Sequence, residues 1–248
     1  MKSITTRFLH SLLALALLGS SAAANAAWEF SANFGLTTDY VFRGISQNGE
    51  DASMSGGIDF SHDSGFYVGA WAAIVDQVEW PEIDSSPDDT NTELDVYAGF
   101  GGNFTDAFSY DVGLLYYAYP VDAHSLDFWE VYGSLSYDFG VASVTGGVAY
   151  SPDFFGESGD ALYYYAEGSI PLPMGFGIDL HYGHQDIDDN NNFGTPDYDE
   201  WKVAVTKSIG DHVTAEVAYT DPDLSKSECF GGWSGCDSRV IGSIGVDF

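Results

Sequence analysis

Arg239-Val-Ile-Gly-Ser-Ile-Gly-Val-Asp-Phe248 is the stretch that decides the fold. Val240, Gly242, Ile244, Val246 and Phe248 alternate with Arg239, Ser243, Gly245 and Asp247, and only Ile241 breaks the polar set. Strict alternation is the pattern of a strand with one apolar and one polar face. One such strand cannot satisfy itself, so the rest of the chain has to supply partners.

The other end carries an export signal. Lys2 and Arg7 form a basic region, and Leu9 to Leu18 is an apolar run interrupted by His10 and Ser11. Ala24-Asn25-Ala26 reads as an A-x-A cleavage site. Residues 1–26 are therefore expected to be a cleaved signal peptide, with an apolar core too short to span a bilayer. The domain that follows, residues 27–248, is expected in an oxidising compartment.

Composition narrows the class. Aromatics make up 16% of the 248 residues, with 16 Tyr, 17 Phe and 29 Gly. Basic residues after position 26 are Arg43, Lys202, Lys207, Lys226 and Arg239, against 38 acids, a formal charge of −33. Such a surface repels nucleic acid. A disordered acidic chain would lack these aromatic and β-branched residues. No later apolar run is long enough for a transmembrane helix, so a membrane-spanning form has to be a barrel.

Twelve alternating segments can be read, over residues 28–42, 53–61, 66–74, 93–101, 108–119, 127–137, 141–150, 161–170, 176–184, 200–209, 213–219 and 239–248. Most approach the roughly 9–11 residues that a tilted strand needs to cross a bilayer. The connections alternate in length. Short ones fall at 63–65, 102–107, 138–140, 171–175 and 210–212, and long ones at 43–52, 75–92, 120–126, 151–160, 185–199 and 220–238. Periplasmic turns alternating with longer outer loops is the outer-membrane pattern, and an even strand count puts both termini on the periplasmic side.

Aromatics mark both strand ends on the apolar face. Trp28, Phe66, Phe108, Phe176 and Phe248 lie on the turn side, and Tyr40, Tyr116, Trp129, Tyr150, Tyr182 and Tyr219 on the loop side. Two girdles around an aliphatic band suit a lipid-facing wall. A soluble sandwich also alternates but needs neither the girdles nor the sustained loop-length pattern. The expected fold is an all-β, antiparallel, up-and-down transmembrane barrel of about twelve strands.

Residues 31–47, Ser-Ala-Asn-Phe-Gly-Leu-Thr-Thr-Asp-Tyr-Val-Phe-Arg-Gly-Ile-Ser-Gln, resemble the start of the TorF family of porin-like proteins, with Thr38 to Gly44 the specific part. Signal peptide, length, Gly/Tyr/Asp-rich body and final Phe resemble that family as well. The resemblance implies a porin-like architecture and supplies no catalytic residues. The closing strand also resembles those of bacterial outer-membrane barrels, which implies that Phe248 is an assembly signal read by the barrel assembly machinery.

The polar faces carry Glu29, Asp39, Asp59, Glu93, Asp95, Asp111, Glu130, Glu167, Asp179, Glu200, Glu216 and Asp247 against Arg43, Lys202 and Arg239. A lumen lined by carboxylates prefers cations. The competing reading is a packed polar interior with each acid bonded to Tyr, Ser, Thr or a base, because a narrow barrel can be filled. Arg43 lies four residues after Asp39, on the same strand face, which reads as a register-fixing salt bridge or a constriction charge. Cys229 and Cys236 are expected to form a disulfide in an exported chain. The acidic 186–200 stretch fails the calcium-loop pattern, since Phe193 stands where Gly is required. His62, His124, His181, His184 and His212 are scattered along the chain, so catalysis is not expected. No cofactor is implied.

The expected function is an outer-membrane porin-like channel for small solutes with cation preference. A non-conducting structural or receptor barrel, with acidic loops that bind a partner or divalent cations, is the alternative, and a membrane hydrolase a distant third. Expected partners are outer-membrane lipid and lipopolysaccharide, the assembly machinery, and small solutes or cations.

Overall fold

The computed structural model describes residues 27–76, 91–120 and 126–248. The signal peptide expected over 1–26 and much of the long connections at 75–92 and 120–126 lie outside the described residues. The elements in chain order are β1 (Trp28–Thr37), a small hairpin of β2 (Val41–Phe42) and β3 (Ile45–Ser46), β4 (Ser53–His62), β5 (Phe66–Ile74), β6 (Thr92–Asn103) and β7 (Phe108–Ala118). They continue with β8 (Phe128–Asp138), β9 (Ser143–Ser151), β10 (Ala161–Pro171), β11 (Phe176–Ile187), β12 (Tyr198–Ile209), β13 (Val213–Pro222) and β14 (Arg239–Asp247).

Apart from the β2–β3 hairpin, each strand pairs antiparallel with its chain neighbour, and β1 pairs with both β4 and β14, so twelve strands close into a barrel. At the closing seam Asn33 to Thr37 face Asp247 to Ser243. Phe248 extends the seam through its main chain, donating to the Ala32 carbonyl at 2.9 Å and accepting from the Ala32 amide at 3.2 Å. Closure leaves no edge strand with unpaired amides, the condition for strands to sit in hydrocarbon. The start of β1 and the C-terminal residue lie at the short-turn end. Trp28 faces His62, beside the turn at 63–65, and the Asp247 amide donates to the His212 carbonyl at 2.9 Å, beside the turn at 210–212.

The expected alternation holds on the outer wall. Phe30, Ile58, Val96, Phe100, Leu114, Val131, Val148, Leu180, Val205 and Val217 are all exposed, and the inward positions between them are largely polar. Ile241, which broke the polar set, turns inward and is buried.

One segment departs from the expectation. The first strand was read through Phe42, but it leaves the wall after Thr37, and residues 38–48 fold into the barrel. Phe42 pairs with Ile45 across a two-residue turn in which Arg43 (φ 45°) and Gly44 (φ 83°) both adopt positive φ. This is the tight hairpin form that demands positive φ at both centres. A Cβ at Gly44 would lie 3.0 Å from Glu200 Cβ and 3.1 Å from Pro222 Cβ, so only glycine lets the tip approach the far wall this closely. Tyr40 consequently is not part of the outer girdle. Its hydroxyl donates inward to Glu93 at 2.6 Å.

The barrel holds two different interiors. At the loop end, Phe128, Phe154, Phe155, Phe193, Phe230 and Trp233 pack with Ile45, Tyr117 and Tyr119 into an apolar cluster. Its rings come from the connections as much as from the wall. Phe193 ends the short helix α1 (Asn190–Phe193), which Asp189 caps by accepting from the Asn192 amide at 3.1 Å. Phe230 and Trp233 are held in a loop closed by the Cys229–Cys236 disulfide. The 186–200 stretch is thus organised around a capped helical turn and a buried ring.

Below this cluster, inward tyrosines lie flat against glycines on adjacent strands. Tyr67 faces Gly99, Tyr97 faces Gly69, Tyr132 faces Gly113 and Tyr165 faces Gly147. The glycine gives each ring room to lean across the ladder, and the ring covers backbone that glycine leaves bare. A Cβ at Gly99 would meet Tyr67 Oη at 2.4 Å and the Val112 carbonyl oxygen at 2.5 Å. Gly99→Ala should therefore destabilise the purified barrel by about 1–3 kcal/mol, as overpacking does. Gly133→Ala, whose Cβ would meet nothing closer than 3.5 Å, should be tolerated. Equal shifts of the unfolding transition in the two variants would refute the ring-over-glycine account.

Candidate functional site

The site is built where the inner hairpin meets the wall. Arg43 sits at the hairpin tip, where the turn projects its side chain across the lumen. Its Nη2 donates to both Glu130 carboxylate oxygens at 2.8 Å, and its Nη1 donates to Gln185 Oε1 at 2.8 Å. The guanidinium carbon also lies 4.2 Å from the Tyr163 ring centre and 4.6 Å from that of Phe42. One planar cation is thus clamped by carboxylate, amide and two rings, a set that arginine can satisfy and lysine cannot. Burial of both partners removes solvent screening from the pair.

Asp39 and Arg43 do not pair with each other. The chain turns between them, which cancels the same-face relation of a continuous strand. Asp39 instead accepts from Arg239 on β14 at 2.6 Å and from Ser46 at 2.7 Å. The hairpin is therefore tied at its base to the closing strand and at its tip to β8 and β11.

Most of the remaining interior acids have donors of their own. Glu93 accepts from Tyr40 at 2.6 Å and Tyr119 at 2.8 Å. Glu130 also accepts from Tyr117 at 3.2 Å. Asp59 accepts from Tyr97 at 2.5 Å, Asp111 from Tyr67 at 2.7 Å, and Asp179 from Ser169 at 2.6 Å. His181 bridges Glu167 and Glu200, with Nδ1 3.0 Å from Glu167 Oε1 and Nε2 2.6 Å from Glu200 Oε1, and Tyr163 donates to Glu200 at 2.6 Å. Lys202 faces Glu216, Glu167, Glu200 and Asp179. Glu216 and Asp95 are buried on the inner wall. Asp59, Asp111, Glu167 and Asp179, toward the turn end, stay only half-buried.

Every interior residue picked out from the sequence except Asp39 and Arg43 thus sits on an inward face of the wall, and those two enter on the hairpin. The sequence reading missed the tyrosines that hold the acids, together with Gln185 as a partner of Arg43. The signal for them was present. Tyr116-Tyr117-Ala-Tyr119 and Tyr163-Tyr164-Tyr165 put rings in both phases of the alternation, and the ring in the polar phase points inward.

A family model described as "Bacterial protein of unknown function (Gcw_chp)" matches residues 21–243. The chain belongs to the Gcw_chp family. A search of curated proteins found no match. Among solved structures, this Gcw_chp chain is similar to the KdgM porin in complex with disordered oligogalacturonate, at 9% identity and TM-score 0.59, over 88% of this chain and 99% of that one. It is also similar to the NanC porin, at 12% identity and TM-score 0.56, over 89% and 99% of the two chains. At such identities the likeness is one of fold: a closed barrel of antiparallel strands in the architecture of outer-membrane porins.

The clamp around Arg43 yields a test. Arg43→Ala strands a buried carboxylate and should destabilise the purified barrel by about 3–5 kcal/mol. Arg43→Lys should recover only part, because an ammonium neither forks nor stacks. Denaturant unfolding in detergent reads both. An Arg43→Ala transition coincident with wild type would mean that the hairpin is held by other contacts.

Proposed function

We propose that this chain is a porin-like channel of the outer membrane that passes small solutes and prefers cations, with its loop-side mouth narrowed by the β2–β3 hairpin. The observation that carries the selectivity is the charge of the inner wall. Asp59, Asp111, Glu167 and Asp179 line the more open turn-side half, with the base Lys202 facing Glu167 and Asp179. Fixed carboxylates concentrate cations and exclude anions. The signal peptide read over residues 1–26 and the resemblance to the TorF family support the location and the porin-like role. The short turns are then periplasmic, with the start of β1 and the C-terminal residue beside them, and the long acidic loops face outward.

The charge also bears on the solute. The KdgM structure contains oligogalacturonate, a polyanion. A wall with this excess of carboxylates disfavours such a solute, so the likeness in fold does not extend to an acidic sugar. Small cations and neutral solutes fit better.

A second reading has an observation of its own in favour. The apolar cluster of Phe128, Phe154, Phe155, Phe193 and Phe230 fills much of the loop-side half, as in a non-conducting barrel whose acidic loops engage a partner or divalent ions. Planar-bilayer recording separates the two. The channel reading expects discrete conductance, with a cation-selective reversal potential that weakens at high salt, where screening shortens to roughly 3 Å at 1 M. Silent insertion under all voltages favours the closed barrel, and an anion-selective potential refutes the inner-wall mechanism.

Phe248 gives a test of the location. Its ring is exposed on the outer wall and its main chain completes the seam with Ala32. Deleting it should reduce outer-membrane yield in cells more than Phe100→Ala, which removes an exposed ring of β6 away from the closing seam. Purified Phe100→Ala should show the larger loss relative to its yield. Undiminished outer-membrane yield for the deletion would remove Phe248 as an assembly signal.

A further inference from the structure

Asp95 is the most deeply enclosed carboxylate of the inner wall, with relative exposure of 0%. Its neighbours on β6, Leu94 and Val96, are exposed on the outer face, so Asp95 points inward with Glu93 and Tyr97. Across the ladder it faces Trp71 on β5 and Tyr117 on β7. Neither carboxylate oxygen has a hydrogen-bond partner among the described residues.

The surroundings explain why. Each phenol has one proton to donate, and the nearby ones are committed elsewhere. Tyr40 and Tyr119 donate to Glu93, Tyr117 to Glu130, and Tyr97 to Asp59. Arg43 spends its forked donors on Glu130 and Gln185. The charged groups that act on Asp95 are Glu93 and Glu130, both acids. Glu93, Glu130, Asp59, Asp111, Asp179 and Glu200 each accept from a donor. Asp95 has none, and the charged groups beside it are Glu93 and the Glu130 that Arg43 already pairs.

A buried carboxylate without a donor or counter-charge costs several kcal/mol. We propose that Asp95, with Glu93, forms a binding site for a small hard cation inside the barrel. The ligand set contains only oxygen: carboxylate oxygens of Asp95 and Glu93, with the phenolic oxygens of Tyr40 and Tyr119 beside them. Oxygen-only donors select hard cations such as sodium or calcium over transition metals. The site lies beside the Arg43 clamp, because Tyr117 faces Asp95 across the ladder and donates to Glu130, and it deepens the channel reading above, since it gives a cation a defined stopping place in the lumen.

The test uses the full mature barrel, purified in detergent, with folding checked by heat-modifiable gel mobility. Thermal unfolding is followed in sodium, calcium and choline chlorides at equal ionic strength. Choline screens charge but is too large to enter a two-carboxylate site. The site predicts that sodium or calcium raises the unfolding temperature above the choline value, and the cation that acts at lower concentration is the one the site takes. Asp95→Asn should raise the concentration for half-maximal stabilisation at least tenfold. Asp106→Asn, at an exposed acid of the turn at 102–107, should leave it unchanged.

A wild-type response no greater than that to choline overturns the proposal. So does an Asp95→Asn response equal to wild type, which would place the effect on other acids. If Asp95→Asn is more stable than wild type in every salt and wild type shows no cation specificity, a proton satisfies Asp95 and the site is refuted. Failure of the channel reading is distinct from all of these. It appears as silent bilayers while cation-specific stabilisation persists.

Discussion

The backbone seam between β1 and β14 is the constraint on which the rest of the molecule depends. In hydrocarbon no water is available to an unpaired amide, so a sheet has to close on itself or stay out of the membrane. Here closure joins the first strand to the last through Asn33–Thr37 and Ser243–Asp247, and Phe248 adds two main-chain hydrogen bonds to Ala32. Once the cylinder is closed, period-two alternation divides the chain into two solvents. One phase of every strand meets an apolar exterior and the other meets its own counterparts across a narrow lumen.

The lumen then has to be reconciled with its charge. Acids outnumber bases there, and a narrow barrel cannot hydrate all of them fully. The molecule meets this with tyrosine. Tyr67, Tyr97 and Tyr163 each donate to a carboxylate while the ring covers a glycine on the adjacent strand. The sole arginine of the hairpin takes the place where a carboxylate, an amide and two rings converge. Packing and electrostatics are served by the same side chains, so a change to a ring or its glycine disturbs both.

Much of the wall was legible from the sequence because alternation and turn spacing are local. The segment at 66–74 coincides with β5, and most other boundaries moved by only a few residues. The hairpin was not legible by that rule. Tyr40 and Phe42 continue the phase of β1, so alternation alone extends the strand through them. The opposing signal is Arg43-Gly44, which adopts a backbone that a strand cannot continue through. The pairing inside the site was hidden for a related reason. Asp39 and Arg43 are close in sequence, yet each finds its partner on a distant strand, and closure of the barrel rather than spacing decides which strands come within reach. The acids themselves were visible as inward positions. Their tyrosine donors were visible only where consecutive tyrosines occupy both phases.

The hairpin's anchors have a consequence for the order in which the molecule can be made. Arg43 meets Glu130 across 87 positions of chain and Gln185 across 142, and Asp39 meets Arg239 across 200. None of these partners exists as a fixed surface until the strands that bear them are in register, and the last belongs to the strand that closes the cylinder. Contacts of such long loop length form late. The segment that emerges first in synthesis is therefore the one that locks last. Until β14 arrives, residues 38–46 have neither a base to rest on nor a wall to lean against. An assembling barrel passes through a stage in which its future interior is a loose, charged tether trailing at the rim.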